Sequence, residues 1–315
     1  MRIGLINQLH RSQDDPQPEP TWESISQRAS VAEAVGFDSF VFEDALLYRD
    51  AESSQGCWES VSIAAALAAT TSRIEIGPSV FSAPYRSAAL TAKIAETIDE
   101  ISGGRYIFGI GSGNVPDYDY EAFGFPTDHR YSRFAEAIEI IHGLLKDGTV
   151  NYAGKFHSAM NAELVLRGPR SQGPPIIIAA KGSKMLRLVA RYADCWNWWT
   201  YDYRGAMETL RPIIEELERA CGEVGRDPAT LQRSLDLYTV APLNQVGDDE
   251  AALTGTAEEI DGMRPSVLTG TAEEIGGTLL GFTALGFDEI RCDVYPKTVE
   301  GIEAMKEIVD LVHAG

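Results

Sequence analysis

The chain lacks any uninterrupted apolar run of about 18 residues, which excludes an ordinary membrane-spanning helix. Cysteine is sparse: Cys57, Cys195, Cys221 and Cys292 lie far apart, none forms C-x-x-C, and none is spaced with a histidine like a zinc site. They read as thiols in a reducing compartment, and no metal site is expected. Basic residues are outnumbered, 27 Lys and Arg against 47 Asp and Glu, for a formal net charge of −20. A field of that sign repels phosphate backbones and anionic lipid surfaces, so neither nucleic acid nor membrane is an expected partner. The opening MRIGLINQLH is too short, and too polar after Ile6, for a signal peptide. A cytoplasmic location is expected.

What is present is a globular composition, 44% hydrophobic and 23% charged over 315 residues. Short apolar runs alternate with longer amphipathic ones. Strands are read at 2–6, 39–43, 73–77, 105–110, 176–180, 195–199, 233–241 and 288–295. Helices are read between them and after the last, at 22–35, 58–72, 87–102, 131–148, 183–193, 205–225, 270–286 and 301–314. Gly36 and Gly148 suit helix C-termini, and Thr271 with Glu274 suits a capping box. Eight strand–helix units in this length predict one (β/α)8 TIM barrel domain over 1–315, with a doubly wound open sheet as the structural alternative. A hairpin insertion is expected at about 149–175, between strands four and five, and a long loop at about 242–269. LTGTAEEI occurs at 253–260 and again at 268–275, and two copies are too few for a solenoid.

The stretch GRYIFGIGSGN (104–114) poses a choice between a dinucleotide cradle and a strand end. The cradle needs G-x-G-x-x-G before a helix; here the third glycine comes one residue early and an acidic, aromatic loop follows. The alternative is a turn needing positive φ. That loop, DYDYEAF (117–123), reads as solvated, or as a lid over the mouth.

In a barrel the site gathers at the C-terminal strand ends. His10 is the histidine at a predicted strand mouth, and there it could serve as an acid or base. Lys181, Gly182 and Ser183 begin a helix, so free N–H groups and the helix dipole suit an anion; a plain N-cap by Ser183 is the competing reading. Trp196 and Trp198 alternate on a strand and share a face. If that face is the lumen, they wall the substrate pocket. Glu43 and Asp44 adjoin, so they point opposite ways.

Three blocks, SRIEIGPSVFSAPYRSAALTAKIAETIDEISGGRYIFGIGSGN, EAFGFPTDHRYSRFAEAIEII and PPIIIAAKGSKMLRLVARYADCWN, resemble the bacterial-luciferase-like flavin-dependent oxidoreductases. The resemblance implies a (β/α)8 barrel with an insertion near strand five. It implies reduced FMN, or in one branch the deazaflavin coenzyme F420, at the C-terminal mouth, and a small-molecule substrate. Asp44 matches a ring-contacting position, with Ala45 where a histidine is usual. Ser79 and Val80 match a non-proline cis peptide that buttresses the ring. Ser112, Gly113 and Asn114 match the loop along the ring edge, Asn114 standing where some deazaflavin members carry a catalytic glutamate. An asparagine can hydrogen-bond there but cannot take a proton. Lys181, Gly182 and Ser183 match the phosphate-binding turn. The resemblance further implies a homodimer and, for an oxygen-using member, a separate flavin reductase. A non-catalytic flavin-binding protein and a cofactor-independent barrel hydrolase or isomerase are the other function classes.

Overall fold

The computed structural model describes residues 1–11, 20–49, 54–113, 118–242 and 266–315. Eight parallel strands form the central ring: β1 (Arg2–Asn7), β2 (Ser39–Phe42), β3 (Glu75–Pro78), β4 (Phe108–Gly111), β5 (Ile176–Ala179), β6 (Cys195–Thr200), β7 (Gln232–Pro242) and β8 (Glu289–Val294). Each pairs with its sequence neighbour, β8 returns to β1 through Arg2↔Glu289 to Ile6↔Asp293, and β3 joins β4 through the bridge Ile76↔Tyr106. The expected TIM barrel is therefore the observed one, and the open doubly wound sheet is not.

Helices α1 (Trp22–Val35), α2 (Ser60–Thr70), α3 (Ala88–Ser102), α4 (Arg130–Asp147), α5 (Ser183–Tyr192), α6 (Tyr203–Glu223) and α7 (Ala272–Gly281) pack outside, followed by the pair Val299–Ala304 and Lys306–Ala314. Their ends follow local chemistry. Gly36 and Gly148 take the left-handed conformation at φ 108° and 78°. Thr271 and Glu274 form the expected capping box. One apolar core lies between strands and helices, from Ile3 and Phe40 through Phe108, Ile178 and Leu235 to Ile290.

Among the described residues two antiparallel hairpins interrupt the ring. Thr149–Ala153 with Ser158–Glu163 is the expected insertion. Leu47–Arg49 with Ser54–Gly56, between β2 and α2, was not legible as strand. The stretch read as a solvated loop is partly the short helix Tyr118–Phe123, with Asp119 and Tyr120 buried. Tyr85 hydrogen-bonds Asp119, and its ring lies 5.0 Å from that of Tyr120, so the helix is fastened to the segment after β3. Asn114 and the first LTGTAEEI copy lie outside the described residues. No helix among the described residues is long and apolar enough to cross a membrane.

Candidate functional site at the barrel mouth

The glycine strand answers to packing. A Cβ on Gly109 would collide with the Pro78 carbonyl and come within 2.9 Å of Val80 Cγ1; on Gly111 it would reach 3.0 Å from Val80 Cγ2. These two glycines therefore seat the segment after β3, whose Ser79–Val80 peptide bond is cis, as the resemblance implies. Gly113 alone of the three needs positive φ, at 94°. A Cβ there would collide with the Tyr120 hydroxyl, which shares a 2.7 Å hydrogen bond with Ser82 Oγ. Ser112 and Gly113 sit at this rim, both partly buried.

Beneath the mouth the lumen is polar. Ser79 Oγ donates to Asp236 Oδ2 at 2.6 Å, Asn197 Nδ2 donates to Asp236 Oδ1 at 2.9 Å, and Arg291 Nη1 lies 3.6 Å from that oxygen. Arg291 also pairs with Glu289 at 2.9 Å, and Glu289 accepts from Ser39 Oγ at 2.7 Å. Burial raises the Asp236 carboxyl above its ordinary range against the pull of Arg291. At Glu289 burial also pushes upward, but Arg291 and Arg2 prevail and hold the carboxyl low.

Strand alternation then settles β6. Asn197 reaches Asp236 and Cys195 joins the small lumen cluster with Val41, Ile107 and Ile177, so Cys195 and Asn197 face inward. Trp196 and Trp198 face the helices. Trp196 is fully buried, stacks 6.1 Å from Phe287 and donates to the Ala180 carbonyl at 3.2 Å. The reading of Trp196 and Trp198 as pocket walls is corrected: they are core side chains, and the Trp199 ring stacks 5.8 Å from that of Trp198.

Glu43 and Asp44, just past the end of β2, point to different partners. Asp44 turns outward toward α2. It accepts from Ser60 Oγ, from the Ser82 N–H at 2.8 Å, and from Arg86 at 2.7 and 3.0 Å. Four donors use the carboxylate's capacity, and its side chain is wholly buried, so Asp44 anchors the loop after β3 and does not reach the mouth.

Glu43 turns to the mouth. Its Oε1 accepts from the Leu9 N–H at 2.8 Å and lies 2.7 Å from His10 Nδ1 and 3.5 Å from Cys57 Sγ. The Tyr48 ring, on the unforeseen hairpin, lies 4.1 Å from the imidazole. Burial and the Glu43 charge push the Cys57 thiol far up, so it stays protonated. One ligand atom each from His10, Glu43 and Cys57 falls within 4.8 Å of the others, a set that could hold a metal, although His10 and Glu43 stand at hydrogen-bonding separation. Beside this pair, at the end of β8, Asp293 pairs with Lys297 at 3.0 Å, and burial raises its carboxyl. His10 was legible as a mouth histidine. Glu43, Tyr48 and Cys57 as its partners were not, since they come from another strand end and from a hairpin that read as loop.

Gly182, at φ 78°, is the residue before the first turn of α5, so the reading of Ser183 as N-cap is corrected. Among the described residues no side chain caps this helix and nothing lies within 4 Å of a Cβ placed on Gly182, and Lys181, Gly182 and Ser183 are all exposed. Lys181 Nζ lies 4.0 Å over the Trp199 ring. Uncapped N–H groups on an open turn beside a cation suit a phosphate.

The family described as luciferase-like monooxygenase matches residues 1–274. A 5,10-methylenetetrahydromethanopterin reductase of Archaeoglobus fulgidus is 33% identical over 177 residues, 56% of this chain and 49% of that protein. A 4-hydroxyprotoasukamycin monooxygenase of Streptomyces nodosus subsp. asukaensis is 30% identical over 193 residues, 60% of this chain and 50% of that protein. The match thus spans about half the length of these relatives. The solved structure of an F420-dependent secondary alcohol dehydrogenase in complex with an F420-acetone adduct superposes with a TM-score of 0.77 at 19% identity, covering 99% of this chain and 98% of the other; at that identity the likeness is one of fold.

Proposed function

Since the chain belongs to the luciferase-like monooxygenase family, we propose that it is an F420-dependent oxidoreductase that moves a hydride between the deazaflavin and a small alcohol or carbonyl compound at the barrel mouth. The observation that carries this choice is the 2.7 Å His10–Glu43 pair, part-buried at the strand ends. Reduction of a carbonyl needs a proton as well as a hydride, and this pair is placed to supply it. The same mouth holds Asp293 and Lys297. Such a charged rim is poorly suited to sheltering a reactive oxygen adduct from water. The likeness to a reductase at 33% identity supports the same reading.

The residues fit the cofactor. The open turn Lys181–Ser183 offers backbone donors and a cation for its phosphate. Val80, packed on Gly109 and Gly111, offers an apolar buttress for the ring, with Ser112 and Gly113 at its edge. When bound, a deazaflavin supplies the hydride acceptor or donor. The chain's part is to orient and to manage protons. Asp236 and Arg291 fix Ser79 from below, and Asp44 with Arg86 fixes the loop beyond it. In oxidation neutral His10 takes the substrate's hydroxyl proton, and in reduction the imidazolium form returns a proton to the substrate oxygen.

Titrating the purified chain with F420, FMN and reduced FMN, read by fluorescence, tests the proposal. Tight binding of F420 with weak binding of FMN is expected. Preference for reduced FMN would overturn it in favour of oxygen chemistry, the direction of the 30%-identical monooxygenase.

A further inference from the structure

We propose that Glu43 is the positioning residue that locks His10 in the Nδ1–H tautomer, so that Nε2 is the atom that exchanges the proton with substrate. The inference deepens the reading of His10 as acid or base and rests on it.

One oxygen decides the argument. Glu43 Oε1 accepts from the Leu9 backbone N–H at 2.8 Å, and a backbone N–H can only donate. That oxygen is therefore an acceptor, and His10 Nδ1, 2.7 Å away, must bring the proton. The Cys57 thiol, 3.5 Å from the same oxygen and held protonated, is a third donor to it. A neutral imidazole with its proton on Nδ1 carries its lone pair on Nε2. Among the described residues none hydrogen-bonds Nε2, while the His10 side chain retains 15% exposure at the mouth. The Tyr48 ring at 4.1 Å limits rotation of the imidazole, so tautomer and orientation are fixed together. The groups facing His10 are Glu43 from the end of β2, Tyr48 and Cys57 from the segment before α2, and Asp293 with its partner Lys297 from the end of β8.

The sequence offers a reason for this arrangement. Asn114 cannot take a proton, and Ala45 cannot either. The pair formed by β1 and β2 brings together the acid–base chemistry those two positions lack.

The test is nitrogen-15 NMR of histidine-labelled full-length chain at a pH above the imidazole titration, with His10 assigned by its loss in His10→Asn. The expected wild-type spectrum shows His10 protonated at Nδ1 and bare at Nε2, and Glu43→Ala moves it toward the Nε2–H form that free imidazole side chains favour. A wild-type His10 protonated at Nε2, or a tautomer unchanged in Glu43→Ala, would overturn the proposal. If Glu43→Ala does not fold, the wild-type spectrum still decides. With F420 and a short secondary alcohol as the probe, Glu43→Gln is expected to lower kcat on the order of 10- to 100-fold while KM changes by less than about threefold; an unchanged kcat would count against a positioning role. The spectra need no cofactor, so a chain that took FMN in place of F420 would leave them as they are.

Discussion

Ser79 Oγ donates to Asp236 Oδ2 across the full width of the barrel, 2.6 Å apart, joining the end of β3 to β7, its opposite in the ring. The bond runs through a lumen that in most barrels is filled by branched apolar side chains. Here the space goes to a charge network, and its upper end is the segment on which the proposed ring rests. Asp236→Ala would leave Asn197 with only the Ser234 hydroxyl as acceptor and Arg291 with one carboxylate fewer. Stability is expected to fall by about 3 kcal/mol, measured by urea unfolding. Ser79→Ala is expected to cost only about 1 kcal/mol. Its larger effect should be weaker F420 binding, and equal affinities for wild type and Ser79→Ala would show that the cross-tie does not serve the mouth.

Gly109→Ala should be worse than Gly182→Ala, although both change one glycine. The new methyl at 109 meets the Pro78 carbonyl, a backbone atom that cannot swing aside. A loss of about 3 kcal/mol or more is expected. At 182 no described residue lies within 4 Å of the new methyl, and the backbone at φ 78°, ψ 151° is what resists, costing about 2 kcal/mol. Thermal unfolding of both variants ranks them; a reversed order would refute the packing account of the glycine strand.

These glycines mark where the sequence was legible and where it was not. The alternation of apolar runs with helical periods gave the barrel, because strand and helix periods are local properties. The glycine spacing argued against a dinucleotide cradle, yet the role of Gly109 lies in Val80 and Pro78, some thirty positions upstream, which no local pattern encodes. Trp196 and Trp198 show the second limit. A strand buried on both faces has a period of two but no polar side to say which face is the lumen, and Asp236, on another strand, made that choice. Glu43 shows the third, since its pairing with His10 depends on strands β1 and β2 lying side by side in register.

His10→Asn should lower kcat by about 10²- to 10⁴-fold with little change in F420 affinity, because a general acid acts in the transition state and not in cofactor binding. Steady-state kinetics beside the fluorescence titration separate the two effects. A variant of near wild-type kcat would move the proton's source elsewhere, Asp293 being the next group at the mouth.

Lys181→Ala should weaken F420 binding about tenfold, the loss of one charge-assisted contact of roughly 1.5 kcal/mol. The ion pair is screened, so the wild-type affinity should fall as salt is raised while the variant's falls less. Parallel salt dependences in the two proteins would place the phosphate away from this turn.

Glu33 governs a pH response distant from the mouth. Burial pushes its carboxyl upward, but N–H groups of Arg73, Ser72 and Ile74 and the Ser72 hydroxyl prevail and bring it down to about 2. It thereby ties α1 to the turn entering β3. A folded value below the unfolded one binds fewer protons in the native state, so the contribution is complete above the ordinary glutamate range near 4.5 and drains away as pH falls toward 2. Glu33→Gln removes the titrating group and keeps one acceptor oxygen. Its unfolding midpoint should lie below wild type at pH 7 and approach it as the pH drops to 3. Two curves that stay parallel across that window would show that Glu33 contributes no pH-dependent stability.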